Sequence, residues 1–205
     1  MASPMADLTR QEALDALSRL EGFEEGLTAR VGALTGMVWG VVSAAIFVSY
    51  GLAAQANLHS WPMFFLWLPW TAAGIAITSA VWKLHAVTLR GPGAKGRSWV
   101  WSCFFAIFFA MALLVLHLSG GGGHLYPFPY MLVVNGLVAF IIAGVASRKR
   151  GRLTAIPLLV AGALMIAAAF ALGAAGLSGP MQSFASAGVV GVGFVGSGLI
   201  GFLQG

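Results

Sequence analysis

The chain has 205 residues, of which 59% are hydrophobic and 8% charged; soluble domains carry roughly 25% charged residues, so a water-soluble globule hiding this much apolar surface is excluded. Its net charge of +5 would point to nucleic acid in a soluble protein, but here the cations flank long apolar runs, and anionic lipid headgroups are the expected partner instead. The single cysteine, Cys103, lies within an apolar run, has no mate for an internal disulfide, and reads as a small buried apolar side chain.

Residues 1–30 hold all six acidic residues of the chain, Asp7, Glu12, Asp15, Glu21, Glu24 and Glu25, against Arg10, Arg19 and Arg30. A secretory signal would begin basic and turn apolar at once, so this segment reads as a cytoplasmic amphipathic helix. Thr9-Arg10-Gln11-Glu12 has the form of a capping box, with the Glu12 N–H donating to the Thr9 hydroxyl and the Thr9 N–H to the Glu12 carboxylate. Ala13, Ala16, Leu17, Leu20, Phe23 and Leu27 follow at helical spacing and make one apolar stripe, with Asp15 and Arg19 an i, i+4 pair on the polar side. Helices that lie on bilayers are usually rich in Lys and Arg. This one is net acidic, so it is expected to dock on protein, and the basic connections described next are its expected seat.

Six apolar runs follow, about 31–54, 62–82, 99–118, 127–147, 153–177 and 184–203. Each is near the twenty or so residues that cross a hydrocarbon core of roughly 30 Å at 1.5 Å per residue. The expected fold is thus an all-α integral membrane protein, an acidic cytoplasmic helix (1–30) followed by a six-helix transmembrane domain (31–205) built as three hairpins. Lys and Arg gather in two of the connections: Lys83, Arg90, Lys95 and Arg97 after the second run, and Arg148, Lys149, Arg150 and Arg152 after the fourth. Such loops stay cytoplasmic, which places both termini inside a cell membrane, with the cluster from Arg148 to Arg152 facing anionic headgroups. Tyr50, Trp61, Tyr126 and Tyr130 then fall at the outer boundary and Trp82, Trp99 and Trp101 at the inner one, where amphipathic rings prefer to sit. Trp39, Trp67 and Trp70 lie deeper, as packing residues.

Small residues let helix backbones approach in lipid. They recur at i+4 as Gly32, Gly36, Gly40 and Ala44 on the first run, as Ala163, Ala167, Ala171 and Ala175 on the fifth, and as Gly193, Ser197 and Gly201 on the sixth. Most of these ridges are expected to pack within the chain. The sixth run carries glycine on nearly every face, a pattern that either opens as a gate or wedges among neighbours. Pro69 inside the second run removes the amide that would serve the Phe65 carbonyl, which predicts a kink near Leu66 to Trp70. Asn135 is the most polar residue well inside a run, set either to bond a neighbouring helix or to line a pore.

Chemistry is otherwise scarce. No Asp or Glu follows Glu25, so the buried carboxylate relay of many proton- or sodium-coupled transporters is missing. Gly196-Ser197-Gly198 hints at an intramembrane serine protease, but Val195 stands where that motif has glycine, and no nucleophile is expected. The glycine loop Gly120–Gly123 lacks the lysine and helix start of a phosphate cradle. His59, His117 and His124 share the predicted outer side without acidic company, and His85 has no mate for haem ligation, so neither metal nor cofactor is expected. The overall plan is similar to the membrane subunits of ABC-2 type exporters, a resemblance of architecture that carries over no residue. The missing carboxylates, the kinked second run and the glycine-rich sixth run point to a non-enzymatic transporter, permease subunit or pore working with an ATPase or a second copy. The alternative is a scaffold or accessory subunit of a larger membrane complex.

Overall fold

The computed structural model describes residues 10–57, 61–89, 128–150 and 155–204. They form five helices: α1 (Arg10–Gln55), α2 (Trp61–Leu89), α3 (Phe128–Arg150), α4 (Ile156–Ala174) and α5 (Gly179–Gln204). No strand occurs among the described residues. α1, α4 and α5 are long and apolar enough to cross a membrane, and the described part of α3 adds a shorter apolar stretch, Met131–Gly144. The apolar run 99–118 and the residues Thr9, Cys103, Arg90, Lys95, Arg97, Arg152 and Gly120–Gly123 lie outside the described residues.

α1 is one uninterrupted helix of 46 residues, roughly 70 Å long. It passes through Arg30 and Val31 without a break, although the sequence changes there from acidic and amphipathic to wholly apolar. Helix-favouring Ala, Leu, Glu and Arg carry the first half; in the apolar half an internally bonded helix is the only form lipid tolerates. It ends at Gln55, and the turn that follows passes through Asn57, whose φ of 53° is a left-handed conformation that asparagine accepts; there the Ala56 N–H reaches the Leu52 carbonyl at 3.0 Å.

α4 and α5 are joined by four residues, Ala175 to Ser178, which turn at Gly176 with φ +60°. Pro157 and Pro180 stand in first turns, where a missing N–H costs nothing. α5 starts at Gly179, five residues before the apolar run at Phe184, and so takes in Ser183 as a membrane-helix residue. The Gln182 side-chain amide donates to the Leu172 carbonyl at 3.3 Å, serving a last-turn acceptor of α4. Pro69 is exposed and α2 continues through it.

α1 packs antiparallel to α5 along most of its apolar half. Ser183 Oγ donates to the Phe47 carbonyl at 2.5 Å. Gly51 faces the Phe184 ring, Gly40 faces Phe194, and Gly198 faces Ala33 and Met37. On another side α1 runs antiparallel to α2, with Trp70 Nε1 donating to Ser49 Oγ at 2.9 Å, Gly74 against Trp39 and Val42, and His85 beside Thr28. α4 packs on α5 through Met165 and Gly193, and α3 on α4 where Gly136 and Gly162 nearly touch. The core joins four helices: Phe47, Leu132, Ala139, Ala161, Met165, Ala169, Val190 and Phe194. First and last helices thus close against each other, a long-range pairing that hairpins alone would not require.

Candidate functional site

The small-residue seams do not follow the i+4 ridges. At 3.6 residues per turn an i+4 row drifts by roughly 40° per step. Gly193 therefore turns toward Met165 of α4, whereas Gly201 turns toward Ala33 of α1. Ser197 between them is buried and its hydroxyl donates to the Phe194 carbonyl of its own helix at 3.2 Å. The seam on α1 is instead Gly191, Gly198 and Gly201, spaced seven and three. On α1 Gly40 and Ala44 of the first ridge meet α5, whereas no described residue stands within 4 Å of where a Cβ of Gly32 or Gly36 would be. Ala163, Ala167, Ala171 and Ala175 are all exposed, because α4 buries the other side, Ala161, Gly162, Met165 and Ala169.

The remaining polar candidates hold to their own helices. Asn135 is half-buried, and its Nδ2 donates at 2.7 Å to the Met131 carbonyl one turn back, not to a neighbouring helix. His59, His117 and His124 lie outside the described residues, as do the side chains of Arg148, Lys149 and Arg150. Sequence reasoning overlooked Ser183 and Ser186, both fully buried; Gly179-Pro180 was the signal that the helix starts early enough to include Ser183, while Ser186 lies within the expected run. His85 was weighed only as a haem ligand, not as a contact between helices.

His85 is 6% exposed, and its Nε2 lies 3.3 Å from Thr28 Oγ1. The Thr28 hydroxyl donates its one proton to the Glu24 carbonyl at 2.8 Å, so the Nε2–H of His85 is the donor to Thr28. Nδ1 is then an acceptor, buried with no hydrogen-bond partner among the described residues. Burial lowers the His85 pKa and the nearby Glu24 charge partly opposes this. The Trp82 ring meets the imidazole edge-on at 5.5 Å. This contact joins α2 to α1 at the foot of the acidic segment, just as Arg30 joins α5 through the face of the Phe202 ring at 5.8 Å.

N-terminal of that foot α1 runs on. About 20 residues precede Arg30, roughly 30 Å of helix, and residues 14–25 are all exposed. Leu14 and Leu17 are each 56% exposed, Leu20 63% and Phe23 65%. The basic connections expected to seat this stripe, Arg90, Lys95 and Arg97 and the side chains of Arg148 to Arg152, lie outside the described residues. Ala13, Ala16, Leu20, Phe23 and Leu27 recur at alternating three and four, with Leu17 alongside, and so share one face. By the same spacing Glu24 falls within that face, between Leu17 and Leu20, while Glu21 borders one side and Arg19 the other. Burying one such leucine or phenylalanine would be worth about 1.5–3 kcal/mol. Comparison with protein-family models, with curated proteins and with solved structures found no match to this chain.

Proposed function

We propose that this is a non-enzymatic, multi-pass membrane protein that serves as an accessory or scaffold subunit of a membrane complex, holding the first half of α1 outside the bilayer as a docking helix. The observation that carries this is the mismatch of lengths. Thr28 and Arg30 tie α1 to α2 and α5, yet the helix runs on to Arg10 with Leu14, Leu17, Leu20 and Phe23 more than half exposed.

Six spans with both termini cytoplasmic remain part of the proposal. Two independent features support it: the two basic connections, and the ends of the helices flanking the undescribed stretch. α2 finishes at the Thr28 end of the bundle, whereas α3, through α4 and α5, starts at the Phe47 end. A chain joining them has to travel back across, and the apolar run 99–118 has the length and composition to do so.

Transport is the second reading. It draws on the Thr71 and Thr78 hydroxyls, buried on the α1-facing side of α2 with no hydrogen-bond partner among the described residues, and on Gly188 and Gly196 of α5, where no described residue stands within 4 Å of a would-be Cβ. A photo-crosslinking residue at Leu20 in the native cell separates the two, alongside proteoliposomes of the purified chain loaded with a small solute. The docking reading expects a discrete protein adduct at Leu20, none at Ser18 on the opposite face, and solute retention equal to that of empty liposomes. Solute release without a Leu20 adduct overturns it in favour of transport.

A further inference from the structure

The occupant of the stripe can be narrowed by chemistry, and this step rests on the docking reading above. We infer that the first half of α1 receives a basic amphipathic helix of a partner protein, seated along Ala13, Leu17, Leu20, Phe23 and Leu27 with a lysine or arginine set against Glu24.

The stripe spans four turns with apolar residues three and four apart, the register in which one helix seats another. Leu17, Leu20 and Phe23 are more than half exposed, so no described residue fills this face. Glu24 decides the sign of the occupant. A purely apolar cover would strand its carboxylate away from water, which a buried charge tolerates only when paired. The whole segment agrees: six acids against three arginines up to Arg30 leave a net of −3.

The same charges weigh against the other occupants. A second copy laid parallel would set Glu24 beside Glu24, and laid antiparallel it would still join two segments of net −3. An anionic leaflet repels the segment for the same reason. A neutral leaflet does not, but lying on it would need a bend where α1 leaves the bundle, and α1 is continuous from Arg10 to Gln55.

The test uses the full chain in phosphatidylcholine nanodiscs with three fluorescent peptides of about three heptads each. One has leucines at the core positions and lysines flanking them, one is its scramble, and one has glutamates in place of the lysines. The lysine peptide should bind above empty nanodiscs and weaken as salt rises. Glu24→Lys, and separately Leu20→Asp with Phe23→Asp, should each weaken it by about tenfold or more while the thermal midpoint of the protein stays put. Equal binding by the scramble or the glutamate peptide overturns the inference. So does a Leu20→Cys disulfide between two copies, or crosslinking of Glu24→Cys to Arg150→Cys within one copy, which would name those occupants instead. A Leu20 photo-adduct in cells together with no response to the lysine peptide rejects the basic helix and spares the docking reading. Absence of any adduct rejects the docking reading itself.

Discussion

His85 holds the foot of the projecting helix as a neutral imidazole, and that makes the foot sensitive to acid. Its folded pKa lies below the ordinary value of 6.5, so the unfolded chain binds a proton there more readily than the folded one. Stability from this group is fully present above about pH 6.5 and is lost as pH falls from there toward the folded pKa. The thermal midpoint in detergent should fall between about pH 7.5 and about pH 5.5. His85→Gln, which keeps a donor for Thr28 but does not titrate, should flatten that fall; an unchanged decline would show that another group causes it. Glycines separate just as sharply. A Cβ at Gly198 would stand 2.9 Å from the Ala33 carbonyl oxygen, whereas one at Gly201 would meet only the Ala33 Cβ at 3.7 Å. Gly198→Ala is therefore expected to cost about 1–3 kcal/mol by overpacking, and Gly201→Ala to be neutral or mildly stabilising, read by thermal unfolding in detergent. That small residues line the helix seams was legible in the sequence, but which glycine meets which neighbour was not. Gly193, Ser197 and Gly201 share a ridge on paper, yet the drift of the helix sends them to different partners.

Among the elements, α1 departs most from what hydropathy could tell. An apolar window marks where lipid would begin, at Val31, but carries no information on whether the helix stops there. The amphipathic pattern from Ala13 to Leu27 was plain; that it continues the first membrane helix without a turn depends on the backbone and not on composition. α5 shows the same limit at its N-terminal end, since Ser183 lies just ahead of the run that hydropathy picks out and yet is fully buried. Ser183→Ala, which removes the hydrogen bond to the Phe47 carbonyl, should cost about 0.6 kcal/mol and up to about 1.7. Leu20→Asp is expected to leave unfolding within about 0.5 kcal/mol of wild type, because the side chain is exposed. A large loss on Leu20→Asp would mean that the stripe is part of the fold and not a surface for a partner.

For the whole molecule, membrane character follows from composition alone, whereas the pairing of the first helix with the last could not be read from any local pattern. Residues 33–51 and 183–201 meet only after the chain between them has returned. The proposed six-span topology has its own check: reporter fusions after Gly120 and after Gly151 should report opposite sides of the membrane, and the same side for both contradicts it. The central claim, that the bundle is an anchor from which the first half of α1 stands out into water, is tested most directly by spin labels placed singly from Glu12 to Arg30 in nanodiscs. Accessibility to an aqueous nickel complex should be high at Leu14, Leu17, Leu20 and Phe23 as well as on the polar side, dropping only near Thr28 and Arg30 where the bundle begins. Stripe positions that are shielded from nickel but open to lipid-dissolved oxygen, at one constant depth, would mean that the helix lies on the membrane and would contradict the account.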